Sequence, residues 1–352
     1  SKFENVNKEF RNLSLNVVKY FSLLFPLINM ALFIGQLLVL YLGGESVIDG
    51  SMTLGQLSTF NMLVIIFTAP FIIISFITNF ITQAVVSLKR VNEILDYKIE
   101  PHIGQENIEE FKSLELQNVD YKIGKTKVLN NINLSISKGE SIGIIGTTAS
   151  GKTSLIKLIL GMTKPSKGQV LINGKPIESI NPTLYQKIFG YVPQSSQLFN
   201  DSILQNIKFY RDLSKEDLDL AITSAKVNEF SDKFNDNLNT IVSERGTNLS
   251  GGQKQRIIIS RALAHQPQIL ILDDSTAKLD SVTEKTVLNN IKTNYKGITL
   301  INIAAKISSI KESTKIIVMD QGEIKDTGTH EELLQKSYLY QEIELSQNNY
   351  HG

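Results

Sequence analysis

Two long uncharged stretches near the start of the chain place the tightest limit on its fold. No Asp, Glu, Lys or Arg occurs from Tyr20 to Leu42 or from Gly50 to Leu88. A bilayer core about 30 Å thick needs about 20 apolar residues of helix, so each stretch is long enough to cross it. Two buried helices of a soluble protein are the alternative, but both stretches are unusually dense in Leu, Ile, Phe and Val. We predict an α-helical membrane segment, residues 1–98, with two transmembrane helices at about 17–42 and 57–88.

Charged residues around these stretches predict their orientation. The loop from Gly43 to Gln56 contains Glu45 and Asp49 but no Lys or Arg. Basic residues flank the pair on the other side: Lys2, Lys8, Arg11 and Lys19 before it, Lys89 and Arg90 after it. The positive-inside rule therefore places both ends in the cytoplasm. We expect a multi-pass protein of the cytoplasmic (plasma) membrane, with the lipid bilayer as one partner.

Composition excludes several function classes. The 352 residues include 36 Lys plus Arg and 35 Asp plus Glu, so the basic excess of a typical nucleic-acid binder is missing. There is no Cys, which removes disulfides, Cys-ligated zinc and iron–sulfur clusters. The four His residues are scattered without ligand spacing, so we expect no His-based metal site.

The rest of the chain shows the pattern of an α/β domain. Short β-branched runs alternate with amphipathic helical stretches, which predicts a sheet with helices between its strands. Two runs, at 142–145 and 269–272, are apolar almost throughout, as in strands buried on both faces of a parallel sheet. Predicted strands are 114–122, 141–145, 170–173, 190–192, 269–273, 299–303 and 315–319. We expect a linker at 99–112, an α/β domain at 113–346 and a tail at 347–352.

A phosphate-binding motif follows the second of these strands. Residues 146–153 match GxxxxGK[ST], and a helical stretch begins directly afterwards, which is the context that a P-loop requires. In this motif backbone amides and the helix N-terminus surround phosphate groups. Lys152 is expected to bind the β- and γ-phosphates of ATP, and the Thr153 hydroxyl to bind Mg²⁺. The predicted nucleotide-binding residues are Gly146, Thr147, Thr148, Ala149, Ser150, Gly151, Lys152, Thr153 and Ser154.

A second element of the same site lies about 120 residues further on. The run Ile269–Asp273 is a hydrophobic strand that ends in a carboxylate. In P-loop proteins such a carboxylate holds Mg²⁺, so Asp273 is the predicted metal-binding acid. The alternative is a buried strand that ends in Asp at a turn, but the P-loop upstream favours the functional interpretation.

The sequence Leu249-Ser250-Gly251-Gly252-Gln253 resembles the signature motif of ATP-binding cassette (ABC) proteins. In that family the motif acts in trans, on the γ-phosphate bound by the P-loop of a partner, so the resemblance implies a dimer. Tyr191–Gln194 resembles the Q-loop, which implies that Gln194 contacts Mg²⁺ and the attacking water. Ser243–Gly246 resembles an exporter element that contacts the partner's intracellular helices.

The resemblance extends over the whole chain. Leu279-Asp280 looks like the end of the D-loop, and 328–333 like the usual tail of the cassette. The hairpin of the membrane segment resembles the last two transmembrane helices of an exporter half-transporter. A half-transporter of this family has six spans, so we expect that the first four are missing and that the chain is N-terminally truncated.

Three positions depart from the family pattern, all at this chain's own P-loop. Asp274 stands where hydrolytic cassettes carry the Glu that polarises water, and it is one methylene shorter. Ala305 stands where they carry the switch His, and no His occurs between Asp273 and His330. The adenine-stacking aromatic aligns with Ile123, although a shift of two residues would make Tyr121 the stacking residue.

These features predict a subunit of an ATP-driven ABC exporter. We expect its own site to bind MgATP and hydrolyse it poorly, while its signature motif serves a second half-transporter in a heterodimer. A homodimeric exporter with slow ATPase activity and an ATP-gated membrane regulator that transports nothing are the alternatives. A soluble ATPase of DNA repair or translation is excluded if the two helices insert. The exported cargo cannot be named from the sequence.

Overall fold

The computed structural model describes residues 2–96, 104–195 and 197–348. The chain divides into two compact units, Ser1–Glu100 and Pro101–Gly352. Part of the expected linker, residues 99–103, and part of the expected tail, from residue 349 onward, lie outside the described residues.

The first unit contains two long helices, α1 (Lys2–Ile48) and α2 (Leu54–Leu95). The N-terminal limit of the second uncharged stretch does not set the start of α2. It is set by a capping box, in which the Gln56 amide donates to Thr53 Oγ1 and the Thr53 amide donates to Gln56 Oε1. Both helices extend past the expected spans. Among the described residues, Phe3–Ile48 of α1 is the one helix long and apolar enough to cross a membrane. Within α2, the segment Leu54–Phe67 is a shorter apolar stretch of helix. The second span thus stays a prediction.

The second unit has ten strands and nine helices among its described residues. The strands are β1 (Ser113–Ile123), β2 (Thr126–Ser137), β3 (Ser141–Gly146), β4 (Lys167–Ile172), β5 (Lys175–Pro176), β6 (Phe189–Val192), β7 (Ile269–Asp273), β8 (Thr299–Ile303), β9 (Lys315–Asp320) and β10 (Glu323–Gly328). The helices are α3 (Lys152–Ile159), α4 (Pro182–Lys187), α5 (Ile203–Lys208), α6 (Lys215–Ser224), α7 (Asn228–Ser231), α8 (Gly251–Leu263), α9 (Ser281–Asn294), α10 (His330–Lys336) and α11 (Tyr338–Asn348).

A six-stranded sheet forms the centre of this unit. Its strand order is β10-β9-β3-β8-β7-β6, and the pairs from β9 to β6 are parallel. Every residue of β7 and β8 is buried, which is why both strands have the bounds predicted from their apolar runs. The carboxyl ends of β3, β8 and β7 meet at one edge of the sheet, the place where ligands bind in open α/β folds.

A second sheet, antiparallel and four-stranded, was not predicted. Its order is β2-β1-β4-β5. The β1–β4 pairing shifts register between Gln117 and Asp120, where Asn118 has φ 49° and Gly168 on β4 has φ 80°. A Cβ at Gly168 would lie 2.4 Å from the carbonyl oxygens of Gln117 and Asn118, so only glycine fits against this bulge.

Residues between β6 and β7 form a helical subdomain, as the resemblance to ABC proteins implies. Helices α5, α6 and α8 bury one face each in a hydrophobic cluster that also contains Leu270 and Leu272 of β7. This shared cluster fixes the N-terminus of α8, where the signature motif lies, relative to the strand that ends in Asp273.

Candidate nucleotide-binding site

The P-loop connects β3 to α3 at the carboxyl edge of the central sheet. Gly151 precedes the first helical residue, Lys152, and has φ 97°. The Ser150 side chain is buried, whereas Thr147, Thr148 and Ala149 are exposed. The loop therefore presents an open face of backbone at a helix N-terminus, which is the arrangement that binds phosphate groups.

Lys152 lies over this loop. Its Nζ donates to the carbonyl oxygens of Gly146 at 2.9 Å and Thr147 at 2.8 Å, and to Ser150 Oγ at 3.2 Å. Burial lowers the pKa of Lys152, while the charges of Asp274 and Asp273 act in the opposite direction. The Lys152 ammonium group is thus held at the loop, close enough to two carboxylates to feel their charge. Binding of a phosphate chain together with Mg²⁺ requires such a set of one cationic side chain and acidic residues.

The P-loop backbone is strained at Ala149, where many ABC proteins have Gly. Ala149 has φ 64°, in the left-handed region that glycine adopts freely. A side chain with a Cβ costs about 1 kcal/mol or more there. The Ala in place of the usual Gly therefore lowers the stability of the loop that holds the phosphates.

We expect Ala149→Gly to raise the free energy of unfolding by up to about 1 kcal/mol, because relief of strain exceeds the entropy gained by the unfolded chain. Gly151→Ala is the opposite case, since its φ is 97° and its Cβ would lie 2.6 Å from Leu129 Cδ2. It should destabilise by more than about 1 kcal/mol. Thermal unfolding of both variants in lipid nanodiscs measures the difference. A lower midpoint for Ala149→Gly would contradict this account of the loop.

Asp273 occupies the predicted place at the end of β7 and is 5% exposed. Tyr191 Oη donates to Asp273 Oδ2 at 3.3 Å. Burial raises the pKa of Asp273, and the bond from Tyr191 opposes the shift. A buried carboxylate near a P-loop suits a divalent cation, because the ion offsets the cost of desolvating the charge. The contact between Tyr191 and this acid was not predicted from the sequence, although Tyr191 lies in the Q-loop motif that ends at Gln194.

Asp274 lies between the Q-loop and the loop after β8. Gln194 Nε2 donates to Asp274 Oδ2 at 3.3 Å, and the Ala305 amide donates to Asp274 Oδ1 at 3.4 Å. Asp274 itself has φ 48°, and its own amide donates to the Ile303 carbonyl at 2.8 Å. The structure thus brings together the three residues that the sequence placed at the hydrolytic position, the Q-loop and the switch position.

The signature motif begins α8. Ser250 is its N-cap, with a capping box in which the Ser250 amide donates to Gln253 Oε1 at 2.8 Å and the Gln253 amide donates to Ser250 Oγ. Leu249 is buried, while Ser250 and Gly251 are exposed. A Cβ at Gly252 would lie 3.2 Å from the Lys278 carbonyl oxygen, so glycine lets the helix start approach the segment before α9.

The two candidate adenine contacts differ in exposure. Tyr121 is partly buried and packs against the main hydrophobic cluster, whereas the Ile123 side chain is 58% exposed at the end of β1. Ile123 is therefore the more available apolar surface for a base. This supports the alignment that places Ile123 at the stacking position, which stays a prediction.

Two family models match the chain. Residues 129–277 match the ABC transporter ATP-binding model, and residues 1–71 match the ABC transporter transmembrane region. Together they cover more than half of the chain. The chain belongs to the ABC transporters. The ABC nucleotide-binding domain follows a helical membrane region, and these findings agree with a membrane protein whose cassette lies in the cytoplasm.

Individual relatives of this ABC protein are named as translocation ATP-binding proteins. It is 39% identical over 311 residues to the alpha-hemolysin translocation ATP-binding protein HlyB of Escherichia coli, covering 86% of this chain and 44% of that protein. It is 39% identical over 314 residues to the leukotoxin translocation ATP-binding protein LktB of a Pasteurella haemolytica-like species, with the same coverage. The chain therefore spans less than half the length of these relatives.

A solved structure agrees with the fold. The ATP-bound structure of a bacterial Atm1-family ABC exporter matches with a TM-score of 0.72 and 29% identity, over 92% of this chain and 59% of that chain. The likeness covers both the membrane helices and the ABC domain.

Proposed function

We propose that this chain is a subunit of an ATP-driven exporter whose own P-loop binds MgATP and hydrolyses it slowly, while its signature motif serves the site of a partner half-transporter. One observation carries the proposal. Residues that serve the chain's own site are changed at Asp274 and Ala305, whereas the signature that it lends to the partner is complete from Leu249 to Gln253. Loss of function by drift has no reason to spare the signature.

The geometry of Asp274 supports slow hydrolysis. Its carboxylate already accepts hydrogen bonds from the Gln194 side chain and the Ala305 amide. The side chain is one methylene shorter than Glu, and displacement of a catalytic group by about 1 Å can lower a rate about 10²-fold. The Asp274 carboxylate therefore links the Q-loop to the loop after β8. Hydrolysis needs a general base for water at this same position.

No described histidine can replace the switch residue. His330 Nδ1 lies 2.8 Å from Tyr340 Oη, and His265 Nε2 lies 2.9 Å from the Phe189 carbonyl oxygen. Both rings are thus engaged within the cassette, one between α10 and α11 and one beside β6. The exposed Ala305 side chain has no polar atom with which to contact a phosphate.

The residues at the sheet edge fit MgATP. Lys152 would hold the outer phosphates, and Thr153, Gln194 and Asp273 would hold Mg²⁺, which when bound neutralises phosphate charge. The exposed Ser250 at the start of α8 would contact the γ-phosphate bound by the partner. The N-terminal helices would form part of the membrane path for a cargo that remains unidentified.

The test compares ATP turnover of this chain alone and together with a candidate partner half-transporter, both in lipid nanodiscs. We expect little turnover alone and brisk turnover in the pair, with Lys152→Ala in this chain as the control for nucleotide binding. Brisk turnover by this chain alone would instead support the homodimeric exporter. ATP turnover in the pair without any cargo uptake into vesicles would support an ATP-gated regulator.

A further inference from the structure

One side chain from the C-terminal helix holds the loop that carries the switch position. Gln347, in the last turn of α11, donates from Nε2 to the Ala305 carbonyl oxygen at 2.8 Å. Its Oε1 accepts from the Ile307 amide at 2.9 Å. A single side-chain amide therefore bridges the two ends of this short segment, which we name the switch loop (residues 304–307).

The backbone amide of the same residue, Ala305, faces the nucleotide site. The Ala305 amide donates to Asp274 Oδ1, so the switch loop is bonded to the carboxylate on one side and to Gln347 on the other. The loop follows β8, which lies between β3 and β7 in the sheet. It therefore lies between the P-loop and Asp273, at the edge of the sheet where the proposed nucleotide would bind.

Helix α11 is itself firmly placed. Tyr340 is fully buried in a cluster that also contains Ala304 and Ile307 of the switch loop and Ile145, next to the P-loop. Tyr340 Oη also lies 2.8 Å from His330 Nδ1. Gln347 thus extends from a rigid support, which is the condition under which a side chain can fix the position of a loop.

We propose that Gln347 is a positioning residue that holds the switch loop against the γ-phosphate end of the site and so favours ATP over ADP. Because residue 305 is alanine, any contribution of this loop to the nucleotide comes from its backbone, whose place Gln347 fixes. The inference rests on the proposed binding of ATP at this P-loop. It links α11, outside the matched ABC transporter model at 129–277, to nucleotide selectivity.

The experiment measures displacement of a fluorescent ATP analogue by ATP or ADP, with Mg²⁺, from the full chain in nanodiscs. Gln347→Ala should weaken ATP binding by about threefold to tenfold, the effect of losing one or two ordinary hydrogen bonds, and ADP binding by less than about twofold. Gln347→Glu keeps the acceptor for Ile307 but loses the donor to Ala305. It should give an intermediate ratio of ATP to ADP affinity.

Gln341→Ala is the matched control. Gln341 lies on the same helix, and its Nε2 donates to the Leu334 carbonyl oxygen at 2.6 Å, away from the switch loop. It should leave the ATP to ADP ratio unchanged even if it lowers the melting temperature. Equal effects of Gln341→Ala and Gln347→Ala, or equal weakening of ATP and ADP, would overturn the inference. An unaltered chain that binds neither nucleotide would overturn the proposed function itself, and the inference with it.

Discussion

Ser250→Ala in this chain is expected to lower the ATP turnover of the assembled pair by about 10²-fold or more, whereas Asp274→Asn should change it by less than about twofold. In the proposed arrangement Ser250 donates to the γ-phosphate in the active site, and loss of one such donor typically costs about 10²–10³ in rate. Asp274 serves the slow site, so its charge matters little to overall turnover. Steady-state ATPase assays in nanodiscs measure both.

Loss of the helix cap needs its own control, because Ser250 also caps α8. Thr329 caps α10 with the same capping box, in which its amide donates to Glu332 Oε2 at 3.1 Å and the Glu332 amide donates to its Oγ1. Thr329→Ala should therefore lose a similar stability, about 1 kcal/mol, without the fall in turnover. If Asp274→Asn reduced turnover as strongly as Ser250→Ala, this chain's own site would be the active one.

The double variant Asp274→Glu with Ala305→His is expected to raise ATP turnover of this chain alone by about 10²-fold. It restores a carboxylate of full length and an imidazole at the switch position, and a second copy of the chain supplies the intact signature. The Ala305 side chain is exposed, so the larger ring can be accommodated. Turnover of purified protein in nanodiscs, with saturating MgATP, measures the gain.

Two further variants separate chemistry from packing in this experiment. Asp274→Glu with Ala305→Gln carries a polar side chain but no imidazole, and it should recover only a small part of the rate. Adding Lys152→Ala to the double variant should abolish the gain. No increase in the double variant would mean that slow turnover has a cause outside these two positions.

Much of the central sheet could be predicted because its strands are buried on both faces. The sequences of β7 and β8 are mostly apolar, and the ends of both strands agree with those predicted from the sequence. β2 was missed, although Ile132, Leu134 and Ile136 alternate with exposed residues in the period-2 pattern of a half-buried strand. β10 has no such pattern, because it is an edge strand with mostly half-exposed side chains.

The candidate site divides in a similar way. The P-loop and Asp273 belong to short motifs in which neighbouring residues act together, so the sequence alone identifies them. The bond from Tyr191 to Asp273 joins residues 82 positions apart, and the bond from Gln347 to Ala305 joins residues 42 apart. Neither pairing has a local signature, because each depends on which strands are adjacent and where the last helix packs.

The bulge at Asn118 sets which face of β1 the later side chains of the strand occupy. Side chains alternate between the two faces of a strand, so one inserted residue exchanges the faces for every position beyond it. Leu116 is buried before the bulge and Val119 after it. Tyr121 therefore lies on the inward face because the chain takes its extra step at Asn118, where Gly168 makes room for it. The orientation of Tyr121, a candidate adenine contact, thus depends on a backbone irregularity three residues away, and a side chain at position 168 would disturb it without touching the nucleotide.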